Sequence, residues 1–123
     1  MKLRIFKNSV RLRLRQDDVR QFASTGLVEA SVYFGGDGIL EYRLVSSPDA
    51  TAPTATFRHG TVEVTVPENM ARHWTESEEV AISADQSTGL GERLAILIEK
   101  DFQCMHTEDE SDAGTYPNPM LTT

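Results

Sequence analysis

The stretch NSVRLRLRQDDVRQFAS, residues 8–24, constrains the fold most, because it changes from strand patterning to helix patterning within a few residues. In its first part, apolar side chains occupy every second position and arginines occupy the positions between: Val10, Leu12 and Leu14 against Arg11, Arg13 and Arg15. Successive side chains of a strand point to opposite faces. The pattern therefore predicts a half-buried strand with one apolar face and one basic face.

A helix is predicted directly after this strand, from Gln16. Asp17 and Asp18 follow, where carboxylates interact favourably with the N-terminal end of a helix dipole. Apolar residues then recur at helical spacing: Val19, Phe22 and Ala23. Gly26 is expected to end the helix, because glycine adopts the left-handed conformation that often follows a last turn.

Further strands are predicted from alternating or apolar runs at residues 2–7, 27–34, 39–45, 55–58, 61–66, 79–84 and 94–98. The run GGDG at residues 35–38 predicts a hairpin turn, since glycine and aspartate accept positive φ. Residues 46–53, SSPDATAP, have the composition of a linker. A second helix is expected to open at Pro67, at the first helical position that proline prefers.

The two halves of the chain share this order of elements. A shift of 52 residues superimposes them without a gap, placing Phe22 on Trp74, Val28 on Val80 and Leu44 on Ile96. This predicts an internal duplication of a ββαββ unit, with Phe22 and Trp74 as core residues that anchor the two helices. Two unrelated units of similar length are the alternative.

Parts of each half resemble the AbrB/MazE-type swapped-hairpin module. The segment KNSVRLRL at residues 7–14 is similar to the first strands of that module, and TVPE at residues 65–68 and EVAI at residues 79–82 are similar to its later parts. In that family two chains pair to close one barrel. The resemblance, over residues 2–99, implies that a duplicated chain closes the barrel alone, as a monomeric pseudo-dimer.

The chain as a whole is also similar to small bacterial proteins of unknown function. The segments that carry this resemblance are residues 8–14, residues 99–104 (EKDFQC) and residues 116–119 (YPNP). It implies no activity.

The predicted fold class is therefore α+β and mostly β, with two ββαββ units forming one swapped-hairpin-like β-barrel that carries two short helices. The predicted domain spans residues 1–103, with halves at about 2–45 and 54–99 and a linker at 46–53. Residues 104–123 are expected to form an acidic, extended tail.

Composition favours a cytoplasmic protein without a membrane segment. The single cysteine, Cys104, cannot form an internal disulfide, and the N-terminal residues contain no apolar run typical of a signal peptide or a membrane span. The net charge is -7. This acidic balance argues against a general nucleic-acid binder, although one basic face remains compatible with DNA.

One candidate binding surface is basic. It comprises Arg4, Lys7, Arg11, Arg13 and Arg15. Guanidinium groups suit phosphates and guanine edges, and the AbrB/MazE resemblance implies DNA binding near this strand. The positions 52 residues later carry no fixed positive charge, so two-fold reading of a palindromic site is not expected: Thr56, His59, Glu63, Thr65 and Pro67. The alternative is an exposed strand face whose arginines pair with Glu29, Glu41 or Glu63.

The second candidate surface is the C-terminal segment from Glu99 to Thr123, which includes the acidic tail, because MazE-like antitoxins use such a tail to wrap a basic partner. Its candidate partner-binding residues are Phe102, Met105, Glu108, Asp109, Glu110 and Tyr116. A solubilising terminus, or a tail packed on the basic first half of its own chain, are the alternatives.

An enzyme is not expected. Cys104 and His106, with Glu108 or Asp112, lack the spacing of a structural zinc site, and no phosphate-binding or dinucleotide motif occurs. A triphosphate tunnel enzyme would need the charged strand faces to point inward: Arg11, Arg13, Arg15, Glu41, Arg43 and Glu63. Its Glu-x-Glu-x-Lys signature is absent. We expect no cofactor and a non-enzymatic binding role, with a protein partner slightly ahead of DNA.

Overall fold

The computed structural model describes residues 1–102, which form a mostly-β α+β domain. Its strands and helices, in chain order, are β1 (Lys2–Ile5), β2 (Ser9–Leu14), α1 (Gln16–Thr25), β3 (Leu27–Gly35), β4 (Gly38–Ser47), β5 (Thr54–Arg58), β6 (Thr61–Pro67), α2 (Glu68–Glu76), β7 (Ala81–Ser87) and β8 (Arg93–Lys100). The predicted mostly-β α+β class and the presence of two helices are confirmed.

The eight strands form two four-stranded sheets, with the orders β1-β2-β8-β7 and β3-β4-β6-β5. Each sheet consists of two antiparallel hairpins joined by one parallel pair, β2 with β8 in the first sheet and β4 with β6 in the second. Each hairpin therefore pairs with a hairpin from the other half of the chain. We call the two sheets the terminal sheet (β1-β2-β8-β7) and the central sheet (β3-β4-β6-β5).

The prediction of one closed barrel was wrong, because the backbone hydrogen bonds between the strands of residues 1–102 form two separate four-stranded sheets. Between β5 and β7 the connection is made by a side chain. The Gln86 amide accepts a hydrogen bond from the Ala55 N–H at 2.7 Å and donates one to the Ala55 carbonyl at 2.9 Å. The amide thus satisfies the backbone groups that an adjoining strand would otherwise pair.

The strand registers relate the two halves, but not by the single gapless shift predicted above. The pair Lys2–Arg13 in the first hairpin corresponds to Thr54–Thr65, an offset of 52 residues. The later pair Leu27–Val45 corresponds to Ala81–Glu99, an offset two residues larger. Four residues separate α2 from β7 and one residue separates α1 from β3, while α2 is one residue shorter than α1, which together account for the difference of two.

This longer segment changes which residues are structurally equivalent. Val28 is 3% exposed, and its counterpart in the fold is the buried Ile82 rather than Val80, which is 50% exposed. The two turns before β2 and β6 still match at the shorter offset, since Lys7 and His59 both have φ of 51°. The correspondence concerns topology, and a duplication of the sequence stays a prediction.

The core is apolar and includes the residues that hold the helices. Phe22 of α1 and Trp74 of α2 are almost fully buried, and their rings meet edge to face with centroids 6.3 Å apart. The predicted core roles of these two residues are confirmed. The indole N–H of Trp74 donates to the Val80 carbonyl at 3.2 Å, which ties α2 to the segment before β7.

The two helices begin differently. At α1 the Asp18 carboxylate accepts a hydrogen bond from the Arg15 N–H at 3.0 Å and contacts the N-terminal ammonium of Met1 at 2.8 Å. At α2, Pro67 ends β6 and is the N-cap, so its predicted place as the first helical residue was off by one. Gly26 ends α1 as predicted, with φ of 75° and its N–H bonded to the Phe22 carbonyl.

Candidate basic sheet face

Four cationic side chains lie together on the outer face of β1 and β2, and we call this set the basic face: Lys2, Arg4, Arg11 and Arg13. In the antiparallel register Lys2 lies opposite Arg13, and Arg4 lies opposite Arg11. Directly opposed residues on one face have Cβ atoms about 5 Å apart, so like charges here repel one another. The alternate residues of β2, Leu12 and Leu14, are fully buried, which fixes the arginines on the outer side.

Two carboxylates lie beside these cations: Glu99 contacts the two arginines of β2, and Asp101 lies 3.9 Å from Lys2 Nζ. Glu99 of β8 pairs with Arg13 in the parallel ladder, and its Oε1 lies 3.0 Å from Arg13 Nη2 and 3.4 Å from Arg11 Nε. The Arg13 Nε also donates to Glu99 Oε1 at 3.1 Å. A single carboxylate oxygen is thus shared by two guanidinium groups, which leaves the face positively charged.

The structure brings together only some of the predicted basic residues. Arg4, Arg11 and Arg13 are brought together, whereas Lys7 lies in the turn after β1, over the Phe6 ring at 5.5 Å, and Arg15 is the N-cap of α1. Among residues 1–102, Arg4 forms no ion pair.

Two residues of this face were not predicted from the sequence. Lys2 joins the face only through its register opposite Arg13, and Glu99 only because β8 lies beside β2. A hairpin register was inferable from the turn at residues 6–8. Because β2 and β8 are far apart in sequence, no local sequence pattern indicates that these two strands pair.

The carboxylates predicted to pair with these arginines were the wrong ones. Glu29, Glu41 and Glu63 all belong to the central sheet, where Glu63 Oε1 lies 3.6 Å from Arg43 Nε. That distance exceeds a normal hydrogen bond, and the buried Arg43 Nε has no hydrogen-bond acceptor among the described residues. The outer face of the central sheet therefore mixes both signs of charge.

The requirement of a tunnel enzyme is not met. The charged strand residues point outward, and the buried side chains within residues 1–102 are all apolar. An interior of this kind cannot line a passage with acids and bases.

A second exposed feature lies at the end of the domain where the β-turns are, opposite the helices. Large apolar side chains there are 46–76% exposed: Ile5, Phe6, Tyr33, Phe34, Ile39 and Phe57. Nothing among the described residues covers them. Patches of this kind are typical of contact surfaces, but nothing in the described structure indicates what binds to this one.

A cleft of about 330 Å³ lies between α1 and α2. Its lining is mainly polar, and the ion pair of Arg72 with Glu68, 3.5 Å, lies along it.

Most of the predicted tail contacts lie outside the described residues: Met105, Glu108, Asp109, Glu110 and Tyr116. The same holds for Cys104 and His106. Phe102 is described and is 49% exposed. Within residues 1–102, no group of His, Cys, Asp and Glu is arranged to hold a metal ion, and no helix has the length and apolar character needed to cross a membrane.

Comparison with known proteins places the chain in a family. A model described as a family of unknown function, DUF7009, matches residues 1–120. The chain belongs to this family. No curated protein and no solved structure matches it. The family assignment agrees with the predicted membership of an uncharacterised group, and it adds no activity to the geometry of the basic face.

Proposed function

We propose that this member of the DUF7009 family is a non-enzymatic binding module whose basic face contacts an acidic segment of a protein partner. The observation that supports this is the grouping of four cations on one face, Lys2, Arg4, Arg11 and Arg13, of which Glu99 contacts only the last two. Guanidinium groups bind carboxylates through paired, charge-assisted hydrogen bonds. An extended acidic peptide matches the spacing of cations along a strand pair.

Charge distribution favours a peptide over duplex DNA. The chain carries a net charge of -7, so a long polyanion would meet acidic surface beyond the basic face, whereas a short peptide need not. The equivalent face of the central sheet holds the Arg43–Glu63 pair and no cluster of cations. A two-fold symmetric contact with two DNA half-sites would need a second basic face, which the central sheet does not provide.

The proposed architecture behind this role is a single-chain pseudo-dimer of AbrB/MazE-like modules, of bacterial type and working in the cytoplasm. It is supported by the pairing of each hairpin with one from the other half of the chain. The matching Lys7 and His59 turn conformations also support it.

The test is a fluorescence-anisotropy titration with a labelled acidic peptide, at low and moderate salt. The double variant Arg4→Ala/Arg11→Ala removes one cross-strand pair of cations and is expected to weaken binding by about tenfold or more. The matched control, Arg20→Ala/Arg58→Ala, removes the same charge from exposed positions on α1 and β5 and is expected to bind nearly as tightly as the unaltered chain. Equal losses in both variants would contradict a specific face.

DNA is the second candidate, favoured by Arg4, which no described carboxylate engages. Duplex DNA is titrated in the same assay. Binding that is tighter than that of the peptide, falls steeply with salt and is abolished by Arg4→Ala/Arg11→Ala would replace the peptide by DNA as the ligand.

A further inference from the structure

We infer that the basic face is occupied by the chain's own C-terminal segment, residues 103–123, whose acidic residues Glu108, Asp109, Glu110 and Asp112 pair with Lys2, Arg4 and Arg11. The inference rests on the proposed function, because it treats the basic face as a site for acidic segments. It adds a regulatory device: an external ligand must displace the tail.

The chain leaves the described domain beside the basic face. After β8, the Asp101 N–H donates to the Leu14 carbonyl at 2.7 Å, at the end of β2. The Asp101 carboxylate lies 3.9 Å from Lys2 Nζ, so the first charged group beyond β8 already contacts this surface. Asp101 therefore lies beside Leu14 and Lys2, at the edge of the basic face.

The length of the tail suits this position. A chain spans at most about 3.3–3.6 Å per residue, so Glu108 reaches up to about 25 Å from Asp101. The cross-strand pairs Lys2–Arg13 and Arg4–Arg11 are two residues apart, which is about 7 Å along the strands. All four cations therefore lie within reach of the acidic residues, with slack remaining.

The distribution of charge favours the basic face over the outer face of the central sheet as the binding site of the acidic segment. From Asp101 onward the chain contains no lysine or arginine. The outer face of the central sheet presents Glu29, Glu41 and Glu63, which would repel an acidic segment, and its Arg43 already contacts Glu63. Arg4 on the basic face has no such carboxylate within the described domain. A tethered segment also acts at a high effective concentration, in the millimolar range for short flexible linkers.

The direct test is paramagnetic relaxation enhancement in the full-length chain. Cys104→Ser removes the native thiol, and Ser111→Cys places a spin label within the acidic segment. The inference predicts broadened amide signals at Lys2, Arg4 and Arg11, and sharp signals at the equivalent positions Thr54, Thr56 and Glu63. High salt is expected to remove the broadening.

The charge dependence is tested with Glu108→Gln/Asp109→Asn/Glu110→Gln/Asp112→Asn in the labelled chain. This variant keeps the size of each side chain and is expected to lose the broadening at the basic face. In the peptide titration, the same substitutions in an unlabelled chain are expected to raise affinity by about fivefold or more, because less of the protein has its site covered.

The outcomes separate the two proposals. Broadening at the basic face, with no binding of external peptide even after tail neutralisation, would support the tail contact and contradict the proposed function. Peptide binding that is unchanged by tail neutralisation, with no broadening, would support the function and overturn the inference. As a control, a spin-labelled copy is mixed with an isotope-enriched copy that carries no label. If the basic-face signals broaden only in this mixture, the tail binds a second molecule and the inference is overturned.

Discussion

The terminal and central sheets share one construction and differ in what they present to solvent. In both, two antiparallel hairpins flank a parallel pair, and the hairpins of β1-β2 and β5-β6 have equivalent registers. On the outer face of the terminal sheet the opposed residues are Arg4 and Arg11. The equivalent pair of the central sheet is Thr56 and Glu63.

This difference shows that the register is set by the buried side of each strand. Leu12 and Val64 occupy equivalent positions and are both fully buried, and a slip of one residue would expose them. The outer side chains carry no comparable constraint. The basic face is therefore a property of the terminal sheet alone, and the register that the two sheets share does not depend on it.

The largest expected effect concerns the aromatic pair that both halves share. Trp74→Ala removes a side chain that is 1% exposed together with its hydrogen bond to Val80, and we expect a loss of about 4–5 kcal/mol in unfolding free energy. Phe22→Ala is expected to cost about 3–4 kcal/mol, since no hydrogen bond is lost. Urea unfolding followed by circular dichroism measures both. A larger loss of unfolding free energy for Phe22→Ala than for Trp74→Ala would contradict the expected contribution of the Trp74 hydrogen bond.

The junctions between the sheets offer the next comparison. Gln86→Leu leaves the N–H and carbonyl of Ala55 without partners in a part-buried site, with an expected cost of about 2–3 kcal/mol. Val32 holds the equivalent position in β3 and is 39% exposed, so Val32→Ala is expected to cost less than about 1 kcal/mol. Hydrogen exchange at the Ala55 amide should accelerate only in Gln86→Leu. Similar unfolding costs for both variants would contradict a special role for the amide.

The helix N-termini differ in their pH dependence. Burial raises the pKa of Asp18. Hydrogen bonds from the N-terminal ammonium and the Arg15 backbone N–H, with the charges of the ammonium and the Arg15 guanidinium, outweigh burial and hold the pKa below its ordinary value of 3.8. The stabilisation is therefore complete above that ordinary value and is lost as the pH falls through the lower pKa of the folded state.

Asp18→Asn is accordingly expected to cost about 1–2 kcal/mol at pH 7 and almost nothing near pH 2. At α2 the equivalent residue is Met70, which makes no such contact. Asp17→Asn is the control, because Asp17 lies in the same helical turn without contacting the ammonium. Urea unfolding of the three chains at both pH values gives the comparison. An Asp18→Asn penalty that persists at low pH would show that the carboxylate charge is not its cause.

The smallest expected effect on stability comes from the carboxylates on the two outer faces. Glu99→Gln removes the charge shared by Arg11 and Arg13, with an expected cost of about 1 kcal/mol or less and a severalfold gain in acidic-peptide affinity. Glu63→Gln makes the same change beside Arg43 and is expected to leave peptide affinity unchanged. Thermal unfolding and the anisotropy assay measure the two effects. A gain in affinity with Glu63→Gln would mean that net charge alone governs binding.

The sequence by itself determined the local structure. Alternation in β2 placed Leu12 and Leu14 inside and the arginines outside, and Gly26 marked the end of α1, because periodicity and glycine conformation act over a few residues. The basic strand was recognisable for the same reason. The family match covers residues 1–120 and leaves the function open.

Only the tertiary structure decided how the hairpins combine. The parallel pairing of β2 with β8 brings Glu99 to Arg11 and Arg13, and the Gln86 amide joins β7 to β5 where a closed barrel was expected. The longer segment before β7 made Ile82, rather than Val80, the equivalent of Val28. These contacts join residues far apart in sequence, and their choice depends on how two amphipathic sheets bury a common core. No short-range pattern encodes that choice.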